Sequence, residues 1–541
     1  MQVIHDFGRR GMRRPSAGDA VDGSPKNDGG PPERGGRVRP ARALAQWWRR
    51  RSTAHRRWLV IGICLALGAF GAGGLLAVDS FRTGNGPCDQ TPTDITTSDY
   101  SLDFTVPGGL MPDRQFDGQK AQLHVHRVQP KYEHGRCAQT PVKAAVLIHG
   151  RTVPGPVAFD LKGADQDHNK LSVQAGLARA GIDTFAPSLL GYGQSTRFKE
   201  GLDNADNASL RAFGAGDSCT FPEGCDRTHN PVFPLDQQGT KLQTNPLAGH
   251  RYGHSSKVRF ATTDVWVRDV RQVIDDAIAK AHPTDGKVTL VGYSLGGNRV
   301  GRTLFATNPN PLLPNSPATI AKVDRAVFLS SFFGGTTEDK VPTNGFVSFP
   351  LTLTDRQGTF DGWKLASGTT DQDCPGRIVN GSQDQTWKQS MQEDGRGKDW
   401  GGTDPHHPDG LNRSPTFSSY GWNNEVAGQL AVPTLVIHGI DDGVLPVTNS
   451  TTLYDHLPVT MTNKVLVQIK CASHALPTEG CTGDRCKPPA SETVYGQAPD
   501  TTWAGPHATL KAALIEWITK GTFDGSATGK FTVDKSGVVH H

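Results

Sequence analysis

The stretch that most constrains this 541-residue chain is Val288-Thr-Leu-Val-Gly-Tyr-Ser-Leu-Gly-Gly297. Val288–Gly292 reads as a short strand buried on both faces, and Leu295–Ala306 reads as a helix. Only Tyr293 and Ser294 lie between them, so the chain must bend sharply. Gly292 and Gly296 flank that bend because side chains there would collide. The bend strains Ser294, lifts its Oγ above the strand ends and aims the positive end of the new helix at it. A bare Gly-x-Ser-x-Gly is a weak signal, since glycine and serine are common. The strand before and the helix after make it specific, and they mark Ser294 as a candidate nucleophile. The competing reading is an ordinary glycine-rich loop.

The rest of the body supports a sheet able to carry such a turn. From about residue 98, strand-like and helix-like segments alternate, which predicts an α/β class with a mostly parallel central sheet and helices on both faces. Tyr100–Val106 and Leu123–Val128 read as an opening hairpin. Ala144–Ile148, Ile182–Ala186, Val323–Leu329, Thr434–His438 and Val465–Ile469 read as further strands. Leu171–Ala180, Val265–Ala281 and Leu510–Ile518 read as helices. Residues 196–260 and 333–430 break the pattern with Gly, Asn, Pro and Asp. They are expected to be insertions. Residues 98–525 should then form the body, 79–97 a linker and 526–541 a tail.

Serine alone is a poor nucleophile and needs a base, itself oriented by a carboxylate. After the strand ending at His438 comes Gly439-Ile-Asp-Asp-Gly-Val-Leu-Pro446. Asp442 is the preferred acid and Asp441 its rival. After the strand ending at Ile469 comes Lys470-Cys-Ala-Ser-His474. His474 is the preferred base. His507 is its rival, disfavoured because it directly precedes the last helix, whose positive end opposes an imidazolium. An oxyanion would need two backbone N–H donors. Leu295 should supply one. The turn His149-Gly150-Arg151-Thr152 should supply the other, from Arg151 or else Thr152.

With these residues in place, the chain resembles the α/β-hydrolase superfamily. The resemblance rests on His149-Gly150, Gly191-Tyr-Gly-Gln-Ser195, Gly292-Tyr-Ser-Leu-Gly-Gly297, Gly439-Ile-Asp-Asp442 and Ala472-Ser-His474, in family order over about residues 98–525. It implies the α/β-hydrolase fold and a serine-dependent hydrolase, usually acting on esters, with no cofactor and no metal. The resemblance also implies a small-molecule or lipid ester as substrate and a lid formed by residues 333–430. Pro187-Ser188 replaces the acid that often precedes the Gly-x-Gly-x-Ser loop. The stretch between His474 and the last helix is long, which keeps His507 in play. Acyl transfer, peptide cleavage and a catalytically inactive binding protein are the alternative outcomes of the same pattern.

Charge is distributed unevenly. Residues 1–57 hold 13 Arg and 1 Lys against 5 acids, within a chain of net charge +4. A basic tail on a mildly acidic body points to targeting or a membrane rather than to nucleic-acid binding. Residues 59–78 are 20 uncharged, mainly apolar residues, long enough as a helix to span a bilayer. The arginines before this run place the N-terminus inside and the body outside. The segment is expected to be a single-pass anchor. The alternative is a cleaved signal of twin-arginine type, Arg56-Arg-Trp-Leu-Val60, for which no clean A-x-A site follows.

Eight of the nine cysteines follow that segment, an even set that predicts four disulfides in an oxidising compartment. Cys219–Cys225 and Cys481–Cys486 are plausible local pairs. No Cys-x-x-Cys occurs, and neither His406-His407 nor the Asp-rich loops fit a known metal motif. Trp363, Trp387, Trp400 and Trp422 are read as lid core rather than pocket lining.

Overall fold

The computed structural model describes residues 88–111, 113–162, 171–198, 232–234, 242–244, 261–305, 316–334, 351–354, 356–400, 410–415, 417–418, 421–480, 495 and 505–541. Residues 1–57 and the apolar run 59–78 lie outside these residues, as do both anticipated local cysteine pairs and His406-His407. No helix among the described residues is long and apolar enough to cross a membrane.

Ten strands make one sheet. They are β1 (Asp94–Thr105), β2 (Lys120–Lys131), β3 (Lys143–Ile148), β4 (Ile182–Ser188), β5 (Val288–Tyr293), β6 (Val323–Leu329), β7 (Thr434–Gly439), β8 (Lys464–Ile469), β9 (Gly529–Val533) and β10 (Val539–His540). Their spatial order is β1-β2-β4-β3-β5-β6-β7-β8-β9-β10. The six neighbouring pairs from β4-β3 to β8-β9 run parallel, while β1-β2, β2-β4 and β9-β10 run antiparallel. The predicted mostly parallel sheet is therefore present.

The continuous apolar runs have a simple cause. Successive side chains on a strand point to opposite faces, and both faces are covered. In β3, Ala144, Val146 and Ile148 enter one core, while Ala145 and Leu147 enter the other. The first core is closed by α3 (Thr263–Ala281), through Trp266, Val270, Val273 and Ile274. The second is closed by α2 (Val173–Arg179) and by α6 (Pro506–Lys520), through Leu510, Leu514, Trp517 and Ile518. Ser172 caps α2 by accepting from the Ala175 N–H at 2.9 Å. Each fully buried Leu or Val stabilises the fold by roughly 1.5–3 kcal/mol, so this double burial dictates strand register.

Three expected boundaries are corrected. The linker does not run to residue 97, because β1 starts at Asp94 and pairs along its whole length with β2; the Cys88–Cys137 disulfide also ties residue 88 to the turn after β2. Residues 526–541 are not a tail but add β9 and β10 to the sheet edge. Phe531 and Val533 fill the second core from there. The second insertion ends before residue 430, since Trp422, Val426, Ala427 and Leu430 belong to the first core. Trp422 stacks on Phe328 of β6, with centroids 5.2 Å apart.

Within the second insertion, α5 (Ser382–Glu393) docks on α1 (Gly155–Phe159). Gln389 makes the contact by donating to the Pro156 and Asp160 carbonyls at 3.2 and 3.1 Å. Phe360, Trp387 and Met391 form a small core of their own.

Candidate active site

The turn at Ser294 has the strain its sequence implied. Ser294 sits at φ 54° and ψ −122°, directly before α4 (Leu295–Leu304). Side chains are excluded around it. A Cβ on Gly292 would lie 2.7 Å from the Gly296 carbonyl oxygen, and one on Gly296 would lie 2.7 Å from that of His149. The strain is held by the next strand: Ser294 N–H donates to the Leu329 carbonyl at 2.9 Å, and Phe332 N–H donates to the Ser294 carbonyl at 3.0 Å.

His474 comes from the loop after β8 and reaches Ser294. Its Nε2 lies 2.8 Å from Ser294 Oγ, and its Nδ1 lies 2.8 Å from Asp442 Oδ2. A carboxylate only accepts, so the neutral ring carries its proton on Nδ1 and Nε2 is free to accept from the serine. Asp442 Oδ1 accepts from the Val444 and Leu445 N–H groups, both at 2.8 Å. Burial opposes ionisation of Asp442, but the His474 and His438 imidazoles outweigh it and hold the carboxyl well below the usual carboxylate range.

The two rivals are elsewhere. Asp441 faces away from His474; it accepts from the Cys471 N–H at 2.8 Å and the Thr369 hydroxyl at 2.7 Å. His507 is buried at the start of α6, where its Nδ1 donates to the Pro477 carbonyl and its N–H to the Glu479 carbonyl. It braces the loop carrying His474 and makes no contact with Ser294 among those described. Arg151 and Leu295, the expected oxyanion residues, both line the cavity into which Ser294 opens.

Several residues that sequence reasoning missed build the surroundings. His438, the last side chain of β7 before Gly439, is fully buried. Its Nε2 donates to the Leu445 carbonyl at 2.9 Å and lies 3.2 Å from Asp442 Oδ2. Its Nδ1 accepts from Ser450. Its place at a strand end beside the acid was the one available signal. Arg377 and Glu479 form a buried ion pair beneath Ser473. Glu479 also accepts from the Ser473 N–H at 2.8 Å and the Ser473 hydroxyl at 2.6 Å. The Cys374–Cys471 disulfide joins the same two segments. No local pattern links positions this far apart. The Cys374 and Cys471 sulfurs and the Asp441 carboxylate lie within 4.8 Å of one another, but the sulfurs are bonded together rather than available as metal ligands.

The cavity above Ser294 measures about 590 Å³, within the usual range for a small-molecule site. Val153, Val157, Phe332, Trp363, Val444 and Leu445 give it an apolar lining. Trp363 thus lines the pocket, Trp387 packs with Phe360 and Met391 in the small core of the second insertion, and Trp422 belongs to the main core.

The chain belongs to the alpha/beta hydrolase family, whose profile matches residues 145–481. No curated protein sequence matches it. Solved structures similar to it include a bromoperoxidase from Bacillus anthracis, at 15% identity over 66% of this chain and 90% of that one, with a TM-score of 0.34. A meta-cleavage product hydrolase from Pseudomonas fluorescens has 14% identity over 66% and 88%, with a TM-score of 0.33. A monoacylglycerol lipase from Paleococcus ferrophilus has 15% identity over 79% and 100%, with a TM-score of 0.30.

Proposed function

We propose that this protein is a serine hydrolase that cleaves carboxylic esters with an apolar substituent. The observation that carries the proposal is the unbroken chain Ser294 Oγ, His474, Asp442, with both links at 2.8 Å, opening into an apolar cavity.

The chemistry follows from the proton positions. His474 Nε2 takes the Ser294 proton as Oγ attacks the ester carbonyl, and Asp442 stabilises the imidazolium that results. Charge gathers on the carbonyl oxygen, where the Leu295 and Arg151 N–H groups stabilise it. Collapse releases the alcohol, which takes the proton from His474. Water then attacks the acyl-enzyme with His474 again as base, releasing the acid and restoring Ser294. The apolar walls favour an apolar acyl or alkyl group, and the cavity volume admits one of moderate length.

The protein is proposed to work outside the cytoplasmic membrane, held by residues 59–78 or released after their cleavage, with residues 88–541 as its catalytic body. The disulfides Cys88–Cys137 and Cys374–Cys471 support an oxidising compartment. Mass spectrometry of the mature N-terminus separates the two forms: a start near residue 78 removes the anchor.

A fluorophosphonate probe followed by an ester panel tests the activity. Wild type should be labelled and Ser294→Ala should not. Absence of labelling in wild type, or its persistence in Ser294→Ala, overturns the reading. Adding competing alcohols distinguishes hydrolysis, which yields free acid, from acyl transfer, which yields a new ester.

A further inference from the structure

Arg299 is a buried cation that the proposed reaction does not use. It stands one helical turn after Leu295 on α4, and is 1% exposed. Placing an arginine there is costly unless its donors are satisfied. Its Nη1 donates to the His149 carbonyl at 2.9 Å and to the Gly150 carbonyl at 3.2 Å. Its Nη2 donates to the Tyr192 hydroxyl at 3.1 Å. The guanidinium also lies over the Trp266 ring, 4.3 Å from its centroid. The fork is therefore gripped at several points, and its grip falls on the turn after β3.

The Gly150 carbonyl has a second donor. His149 Nδ1 lies 2.8 Å from it, while His149 Nε2 accepts from the Leu189 N–H at 3.0 Å. Burial and the neighbouring Arg299 cation keep this histidine neutral, so its proton sits on Nδ1. The Gly150 carbonyl is thus drawn toward Arg299 and His149 together. A trans peptide is planar, and its C=O and following N–H point in opposite directions. Holding the Gly150 carbonyl therefore holds the Arg151 N–H on the other side. Gly150 itself lies against the nucleophile: a Cβ there would be 2.9 Å from Ser294 Cβ and 3.3 Å from Ser294 Oγ.

We infer that Arg299 is the positioning residue of the oxyanion hole, orienting the Gly150–Arg151 peptide so that the Arg151 N–H faces the carbonyl attacked by Ser294. One arginine then ties together both proposed donors, since Leu295 begins the helix that carries it. The inference rests on the acyl-enzyme chemistry proposed for Ser294. Lysine cannot replace Arg299, because an ammonium lacks the planar fork that spans two carbonyls and a hydroxyl.

The test uses the full chain, p-nitrophenyl butyrate as substrate and an alkyl trifluoromethyl ketone as the probe of oxyanion binding, with active sites counted by fluorophosphonate titration. Arg299→Lys should lower kcat per active site about tenfold or more, with KM within about twofold. Ketone affinity should fall by a similar factor, and the pH midpoint of kcat should stay in place. A merely structural role would reduce the count of active sites but leave kcat per site and ketone affinity unchanged, and that result overturns the inference. If near-UV circular dichroism shows that Arg299→Lys does not fold, Tyr192→Phe decides. It frees one arm of the guanidinium and should lower kcat and ketone affinity in parallel, about threefold; no change in either overturns the inference. Failure of wild type to react with both ester and fluorophosphonate would instead remove the hydrolase reading itself.

Discussion

Tyr293 and His474 are joined twice: their rings stack with centroids 5.4 Å apart and 29° between planes, and the Tyr293 hydroxyl donates to the His474 carbonyl at 2.7 Å. The residue before the strained serine therefore orients the base. Burial and the nearby Asp442 and Glu479 carboxylates raise the phenol further, so it stays a donor at any working pH. Tyr293→Phe keeps the stack and loses the hydrogen bond, and it should lower kcat about threefold. Tyr293→Ala loses both and should lower kcat by more than about tenfold, with KM moving less. Steady-state kinetics on p-nitrophenyl butyrate checks the order of the two effects.

Asp442→Asn should reduce kcat by about 10²–10⁴-fold, because an amide in this place supports the wrong imidazole tautomer. Asp441→Asn should leave kcat within a few-fold and instead destabilise the fold by about 1–3 kcal/mol, through weaker bonds to the Cys471 N–H and Thr369. Kinetics together with urea denaturation separates them. A collapse of kcat in Asp441→Asn alone would reverse the assignment.

Breaking the Arg377–Glu479 pair from one side should be expensive. Arg377→Met strands the buried Glu479 carboxylate and should cost about 3–5 kcal/mol, whereas Glu479→Gln leaves Arg377 its bond to Asp371 at 2.8 Å and should cost less. The double variant Arg377→Met/Glu479→Leu should recover much of that stability. Its kcat should remain low, since Ser473 would lose both of its bonds to Glu479. A double-mutant cycle read by denaturation and kinetics tests the difference.

The Cys374–Cys471 disulfide closes a separation of 97 residues onto the loop that carries His474. Its loss should cost about 4.7 kcal/mol by chain entropy. Cys374→Ser/Cys471→Ser should therefore show a lower Tm and a lower kcat. Wild type treated with a dithiol should fall at least as far, because Cys88–Cys137 is reduced as well, as followed by thermal melts and residual activity.

A pH dependence arises away from the active site. His126 is buried on β2, with Nδ1 2.6 Å from Asp99 and Nε2 2.7 Å from Asp160. Burial disfavours its charged form, but the hydrogen bonds to Asp160 and Asp99 prevail and push it up to about 9. His124, Lys162, Ser172 and the Glu393 carboxylate also belong to its charged and polar surroundings. A raised folded-state value means that this stabilisation is fully present below the unfolded histidine value of about 6.5 and is lost as pH rises through about 9. The coupling is shared with the two carboxylates and counts once. Unfolding free energy should fall by roughly 2–3 kcal/mol between pH 6.5 and 9.5 in wild type. His126→Gln should flatten that slope, as denaturation at several pH values would show.

Much of the architecture was legible because it is written locally. Doubly buried parallel strands produce short unbroken apolar runs, and covering helices produce a 3.6-residue period. Ala144–Ile148, Val323–Leu329 and Val465–Ile469 were therefore visible within one residue of their observed limits. The last strands were missed because Gly529–Val533 and Val539–His540 are short elements at the end of the sheet and neither has a continuous buried run.

The sequence by itself determined the turn at Ser294 and the loops after β7 and β8, because steric exclusion around glycine and the burial of apolar runs act between near neighbours. Tertiary structure decided which carboxylate meets His474. Asp441 and Asp442 are adjacent and chemically alike, yet Cys471, Thr369 and Leu365 hold the loop so that they face opposite ways. Tertiary structure also decided that His507 braces a loop and that Arg299 grips the turn after β3. Such partners lie from 30 to 150 positions apart. Only a folded sheet brings them within hydrogen-bond reach, and a buried charge is tolerated there because every element around it has already been placed.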